Sequence, residues 1–230
     1  VTINRPEALN AMNPAMYSRL SECWIEIRDN PDIWAAVITG APQPNRPPER
    51  QIFSAGADLK SAFKPRETYE FWQTQADQLL NRGLEVWKPV VAAVNGLCLA
   101  GGMTLLLATD IRVASEHAAF DLSEVKRGIL PANGGTHRAI RQLPYPIAME
   151  MLLLAKRLTA ERAGHFGLIN EGVPHDQLMD VAMQRARELT SMAPLAVRAI
   201  KELAVRGQYL SLQDGLRFEE VIQHRLLVTE

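Results

Sequence analysis

Residues 89–110 constrain this chain more than any other stretch. They run Pro89-Val90-Val91-Ala92-Ala93-Val94, then Asn95-Gly96, then Leu97-Cys98-Leu99-Ala100, then Gly101-Gly102-Met103-Thr104. Val90 to Val94 is a short β-branched apolar run, the pattern of a buried strand. Asn95-Gly96 ends it. Gly101-Gly102 opens a second apolar run, read as a helix. A glycine pair at a helix start leaves backbone N–H groups bare and lets a ligand come close. The helix dipole adds positive potential at the same place. Such a terminus can hold a phosphate, a carboxylate or an oxyanion. A tight turn whose glycines serve only packing is the structural alternative.

Around this stretch the chain alternates strands and helices first and is mostly helical afterwards. Val1-Thr2-Ile3 reads as a strand end. Asn13-Pro14 starts a helix well, because Asn caps and Pro fits the first turn. Trp34 to Thr39 is a second strand, closed by Gly40. Residues 41–50, with four prolines, form a loop. Ile52 to Lys60 is a short apolar start broken by small residues. Residues 66–87 read as a long helix with Tyr69, Trp72, Ala76, Leu79 and Leu80 on one side. Ile111–Ala114 and His117–Phe120 are two short strands, and Asp121 to Gly128 is a polar segment. Leu130 to Gly135 is a loop. Helices follow at 146–155, at 160–166 (capped by Thr159), at 176–192, at 194–206, and at 212–227 (capped by Ser211). Glu171-Gly172-Val173-Pro174 breaks the helical pattern.

Several function classes fall away. Lys plus Arg is 25 and Asp plus Glu is 26, so no bulk charge points to nucleic acid or to an anionic membrane. No apolar run is as long as a membrane span. Cys23 and Cys98 form no CxxC or zinc pattern, and the five histidines have no ligand spacing, so no metal site is expected. Neither GxGxxG nor GxxxxGK[ST] occurs. A cytoplasmic setting is the expectation.

At Ala55-Gly56-Ala57-Asp58-Leu59 and Asn95-Gly96-x-x-x-x-Gly101-Gly102 the chain resembles the crotonase (enoyl-CoA hydratase/isomerase) family. The resemblance starts at Asn4-Arg5-Pro6-x-Ala8-Leu9-Asn10-Ala11. It continues through Gly128-Ile129-x-Pro131, Gly134-Gly135-Thr136, Leu158-Thr159-Ala160 and Gly167-Leu168-Ile169-Asn170. It ends at Ala193-Pro194 and Lys201. It implies an α/β fold: a spiral of ββα turns over residues 1–190 and a C-terminal helical region over 191–230, together one functional unit. It implies an acyl-CoA substrate, with coenzyme A as part of that substrate and no separate cofactor. It also implies assembly as a homotrimer or a dimer of trimers. The family's oxyanion hole maps onto the backbone N–H groups of Ala55 and Gly101. Its coenzyme A segments map onto Ala8-Leu9 and onto Ala55, Ala57, Asp58 and Leu59.

The family's hydratases place two glutamates around the substrate. The first position is Thr104, three residues after Gly101, and it departs from that pattern. The second is Glu124, and it is kept. Read from its residues alone, Glu124 is a solvated loop carboxylate; the resemblance makes it the proton-transfer group. One carboxylate suffices for double-bond isomerisation, and Glu124 could also serve hydration by acting as base and acid in turn. Threonine is no effective base at neutral pH. Asp121, three residues before Glu124, reads as a turn or surface residue, with a second carboxylate as the alternative; Asp58 reads as shaping its own turn or capping a helix, and Cys98 has no base beside it. The expected function is therefore enoyl-CoA hydration or isomerisation, with an acyl-CoA-binding protein of little catalysis as the alternative.

Overall fold

The computed structural model of the chain describes residues 1–62 and 78–229. Each early turn of the chain lays one strand in each of two sheets. One sheet is parallel throughout, in the order β1 (Thr2–Ile3), β2 (Ala36–Gly40), β4 (Val90–Val94), β6 (Ile111–Ser115), β9 (Glu171–Val173). The other runs β3 (Ile52–Ser54), β5 (Leu97–Leu99), β7 (Ala119–Asp121), β8 (Leu158–Thr159), with only the β7–β8 pair antiparallel. This is the ββα spiral expected from the sequence. Val90 to Val94 is buried at every position, as a strand covered on both faces must be. One face of its sheet meets the main core around Trp24, Phe53, Met103 and Phe120. The other face is covered by α7 (Leu178–Thr190) through Leu178, Ala182 and Ala186.

The caps read from sequence form. Asn13 Oδ1 accepts from Met16 N at 2.9 Å at the start of α1 (Pro14–Asp29). Thr159 Oγ1 accepts from Arg162 N at 3.3 Å at the start of α6 (Ala160–His165). Ser211 Oγ accepts from Asp214 N at 3.2 Å at the start of α9 (Leu212–Leu227). The remaining helices are α2 (Leu59–Ala62), α3 (Gly101–Leu106), α4 (Gly135–Gln142), α5 (Tyr145–Leu154) and α8 (Pro194–Gly207).

Four differences stand out. Asn95-Gly96 ends β4 as expected, but it also turns the chain into the other sheet, where a strand the sequence did not announce, β5, begins at once. Two very short strands, β8 and β9, occupy segments that read as a cap and a break, since their pairing partners are distant in sequence. The segment after Gly135 is a helix, α4, held to β6 by the buried Arg112, which donates to Gln142 Oε1 at 2.8 Å and to Leu168 O at 3.0 Å. Burial pulls the Arg112 guanidinium down to about 10. Finally, within the expected long helix, residues 66–77, Tyr69, Trp72 and Ala76 among them, lie outside the described residues. Residues 78–87 hold only a 3-10 turn, Leu80–Arg82, stopped by Gly83 at φ +90°.

At the sheet-to-sheet corner backbones touch with no side chain between them. A Cβ on Gly96 would lie 1.9 Å from Gln51 O, and Asn95 Nδ2 donates to Gly40 O at 3.0 Å across the same corner. Gly96→Ala should therefore lower the thermal midpoint by several degrees, about 2–4 °C for each kcal/mol lost. Gly172→Ala, where nothing lies within 4 Å of the added carbon, is the control expected to stay near wild type in the same melt.

Candidate active site

Residues 8–12 lie along residues 55–58 and are tied to them by the backbone. Ala55 N donates to Leu9 O at 3.1 Å, Met12 N to Gly56 O at 2.7 Å and Asp58 N to Met12 O at 2.9 Å. Ser54 Oγ donates to Asn10 O at 2.8 Å and accepts from Gly56 N at 3.2 Å. Arg5 Nη1 closes the arrangement, donating to Ala11 O at 2.8 Å and to Asp58 Oδ2 at 3.0 Å. That bond from Arg5, with a second from the Lys60 backbone N–H, holds the Asp58 carboxyl below the usual range. Asp58 thus shapes its turn. The structure brings Ala8, Leu9, Ala55, Ala57, Asp58 and Leu59, the residues expected to bind coenzyme A, onto one half-exposed surface.

This loop meets the start of α3 backbone to backbone. Gly56 has φ +89°, and a Cβ there would sit 2.8 Å from Gly101 N. A Cβ on Gly101 would sit 3.2 Å from Ala57 N. Gly56 must therefore be a glycine, and at Gly101 any side chain would be tight. Ala100, directly before α3, has φ +48° and ψ −119°, a backbone state costing about 1–3 kcal/mol for an L-residue. It is fixed by Ala100 N donating to Asp121 O at 3.0 Å. As the first residue of α3, Gly101 has an N–H that no helical carbonyl can accept. Among the described residues, neither Gly101 N–H nor Ala57 N–H has an acceptor. The N–H of Ala55 is different: it is spent on Leu9 O. The expectation that Ala55 and Gly101 donate to an oxyanion is corrected at Ala55, and the open pair is Ala57 and Gly101. Only the distant Leu9 carbonyl separates the two alanines, so the local sequence carries no signal for the choice.

Glu124 starts a 3-10 turn, Glu124–Arg127, just past β7, and α5 packs against that turn. The residue is half-buried, yet its Oε2 is buried and has no hydrogen-bond partner among the described residues. Burial pushes its carboxyl above the usual carboxylate range. A bond from its own backbone N–H opposes this, and the negative charge of Asp121 adds to it. Glu124 is therefore not a solvated loop carboxylate.

Thr104 is buried, and its Oγ1 donates to Ala100 O at 3.3 Å within its own helix. Gly135 packs directly on it: a Cβ on Gly135 would lie 2.9 Å from that oxygen and 2.8 Å from Pro131 Cβ. Asp121 overturns its surface assignment. It is 4% exposed, at the end of β7, with Oδ2 accepting from Arg157 Nε and Nη2, each at 3.2 Å. Its partner, Arg157, directly precedes the neighbouring strand β8 and lies 36 residues on in sequence. Cys98 is fully buried, and burial pushes its thiol well up, so it is no thiolate nucleophile at neutral pH. Among the described residues no group of three His, Cys, Asp or Glu could hold a metal ion.

The geometry thus offers two N–H donors unpaired among the described residues beside a strained turn, with a half-buried carboxyl, one of its oxygens buried and unpaired, following the adjacent strand. Comparison with known proteins agrees with it. The enoyl-CoA hydratase/isomerase family profile matches residues 1–230. The (E)-benzylidenesuccinyl-CoA hydratase of Thauera aromatica is 36% identical over 230 residues, covering 100% of this chain and 87% of that protein. The carnitinyl-CoA dehydratase of Salmonella arizonae is 36% identical over 218 residues, 95% of this chain and 80% of that one. The crystal structure of the enoyl-CoA hydratase from Bacillus anthracis superposes with a TM-score of 0.88 at 30% identity, covering 100% of this chain and 86% of that one. Site geometry, fold and whole-length similarity lead to one conclusion: the chain belongs to the enoyl-CoA hydratase/isomerase family, within the crotonase superfamily.

Proposed function

We propose that this chain is a crotonase-type enzyme that hydrates, dehydrates or isomerises an enoyl-CoA thioester. Its enolate is held by Ala57 N–H and Gly101 N–H, and Glu124 moves the proton. The unpartnered, buried Oε2 of Glu124 carries this reading. A carboxylate oxygen kept from water with no internal donor is costly unless a substrate or a water comes to it. Two N–H donors aimed at the thioester oxygen stabilise the charge developing there, each worth roughly 2.7–4 kcal/mol in comparable sites. In hydration, the water oxygen bonds to the β-carbon while Glu124 takes a proton from that water. The π electrons move to the thioester oxygen. The same proton then returns from Glu124 to the α-carbon, so one water is added in all. The step is redox-neutral, and one carboxyl group suffices for both proton transfers. Relatives named a hydratase and a dehydratase favour hydration or its reverse over isomerisation.

The surface formed by Ala8, Leu9 and residues 55–59 is the seat we assign to coenzyme A. Assembly as a trimer or a dimer of trimers is supported by the C-terminal helices. α8 has one buried residue, Ala199, and α9 none among those described, while Leu212 is 80% and Ile200 65% exposed. Such apolar faces belong against another subunit. Two unpaired cysteines are in keeping with a cytoplasmic setting.

Glu124→Gln should lower turnover by about 10²–10⁴-fold and leave acyl-CoA binding near wild type. Mass spectrometry of 2-enoyl-CoA and 3-enoyl-CoA substrates in heavy water reads hydration and α-exchange together. Full turnover in the variant refutes the assignment, and binding without turnover in the parent protein makes it a binding protein. Thr104→Glu should not create a second acid: Thr104 is buried with Gly135 packed on it, so a lowered melting temperature is expected, with Thr104→Ser close to wild type. Light scattering should give three times the chain mass or a multiple of it, and a monomer at micromolar concentration contradicts the assembly.

A further inference from the structure

Asp121 carries the other buried carboxylate oxygen of this region without a partner. Its side chain is 6% exposed. Both donors of Arg157 converge on Oδ2, and Oδ1 receives none among the described residues. A carboxylate that served only to bridge two strands would spread over both of its oxygens the two donors that a guanidinium fork offers. The β7–β8 register pairs Phe120 with Leu158, so Asp121 and Arg157 are the next residues along that ladder. The Asp121 backbone is also part of the site: Leu99 pairs with it, and Ala100 N donates to its carbonyl. It is thereby fixed at the level where α3 begins, one turn before Glu124. At Thr104 no titratable group is present.

We propose that Asp121 is the second carboxylate of this site, a positioning residue that acts through Glu124 and takes over part of the work of the acid absent at Thr104. The proposal rests on the reading of Glu124 as the proton-transfer group. One carboxyl must take a proton and return it within a single turnover. A neighbouring negative charge favours its protonated form and so makes it a stronger base. Burial is the main cause that raises the Glu124 carboxyl, and the Asp121 charge, three residues before it in the chain, acts in the same direction. Arg157 balances the Asp121 charge and fixes its orientation. Other charged groups nearby do not compete. On α5, Tyr145 is exposed, and Glu150 pairs with Lys156 and with Arg162 of α6. Glu161 and His165 on α6, and Lys126 and Arg127 on the turn itself, are exposed. Cys98 on β5 stays a neutral thiol.

The test is the pH profile of kcat/KM for the intact protein. Its readout is hydration of crotonoyl-CoA, or α-deuterium uptake by butanoyl-CoA where hydration is slow. Activity falls on the acid side as Glu124 becomes protonated. Asp121→Asn removes the negative charge and should move that acid limb to lower pH. Arg157→Gln leaves the Asp121 charge unbalanced and should move it to higher pH. Both variants break the same ion pair, so a purely structural role predicts like effects on stability and an unmoved limb in both. The fall in kcat for Asp121→Asn should be smaller than the roughly 10²–10⁴-fold expected of Glu124→Gln, with KM little changed. Should Asp121→Asn fail to fold, Arg157→Gln, which alters a half-exposed residue, decides alone: an unmoved limb overturns the proposal. If Glu124→Gln abolishes turnover while neither limb moves, this inference fails and the proposed function stands. If Glu124→Gln keeps full turnover, both fail.

Discussion

The contact between the 55–58 loop and the start of α3 is the constraint on which the rest of this structure depends. It is made by backbone alone: Gly56 against Gly101 N, and Gly101 against Ala57 N. Neither partner could hold its place unaided. The loop is tied to residues 9–12 by three backbone hydrogen bonds and clamped by Arg5. The helix start is set by β5, by the strained Ala100 and by its bond to Asp121. Two sheets that exchange the chain at every turn bring these segments together, because β3 and β5 are neighbours in one sheet while β2 and β4 are neighbours in the other.

That arrangement divides the work between backbone and side chain. The N–H donors need no charge and no rotamer, so their position is as firm as the sheets. The carboxylate, by contrast, draws its chemistry from burial. Glu124 lies beyond the end of β7, where α5 covers its turn, and the loss of water is the largest influence on its carboxyl. A shifted carboxyl of this kind depends on packing that excludes water as much as on the charged group itself.

The C-terminal helices follow another logic. Lys201 of α8 donates to Asp110 Oδ2 at 2.6 Å and to Lys88 O at 2.9 Å. Arg206 pairs with Glu85 at 2.9 Å and lies over the Trp87 ring. Polar anchors therefore fasten α8 to the core, while most of the apolar surface of α8 and α9 faces outward.

Much of this was legible in the sequence, where the signal is local. Val90 to Val94 declares itself by five apolar residues in a row, Asn13, Thr159 and Ser211 by capping chemistry, and Gly101 by its place before an apolar run. Glu124 could be singled out by resemblance, though not its burial. What the tertiary structure decided was non-local. The strand β5 is too short to announce itself and exists through pairing with β3 and β7. Whether Ala55 or Ala57 keeps a free N–H was settled by the carbonyl of Leu9. Asp121 became a buried, half-paired carboxylate only because β8 brings Arg157 beside it. A sequence records which groups a residue carries. Which of them are already spent depends on partners that folding brings from tens of residues away, and reactivity at this site resides in the groups left unspent.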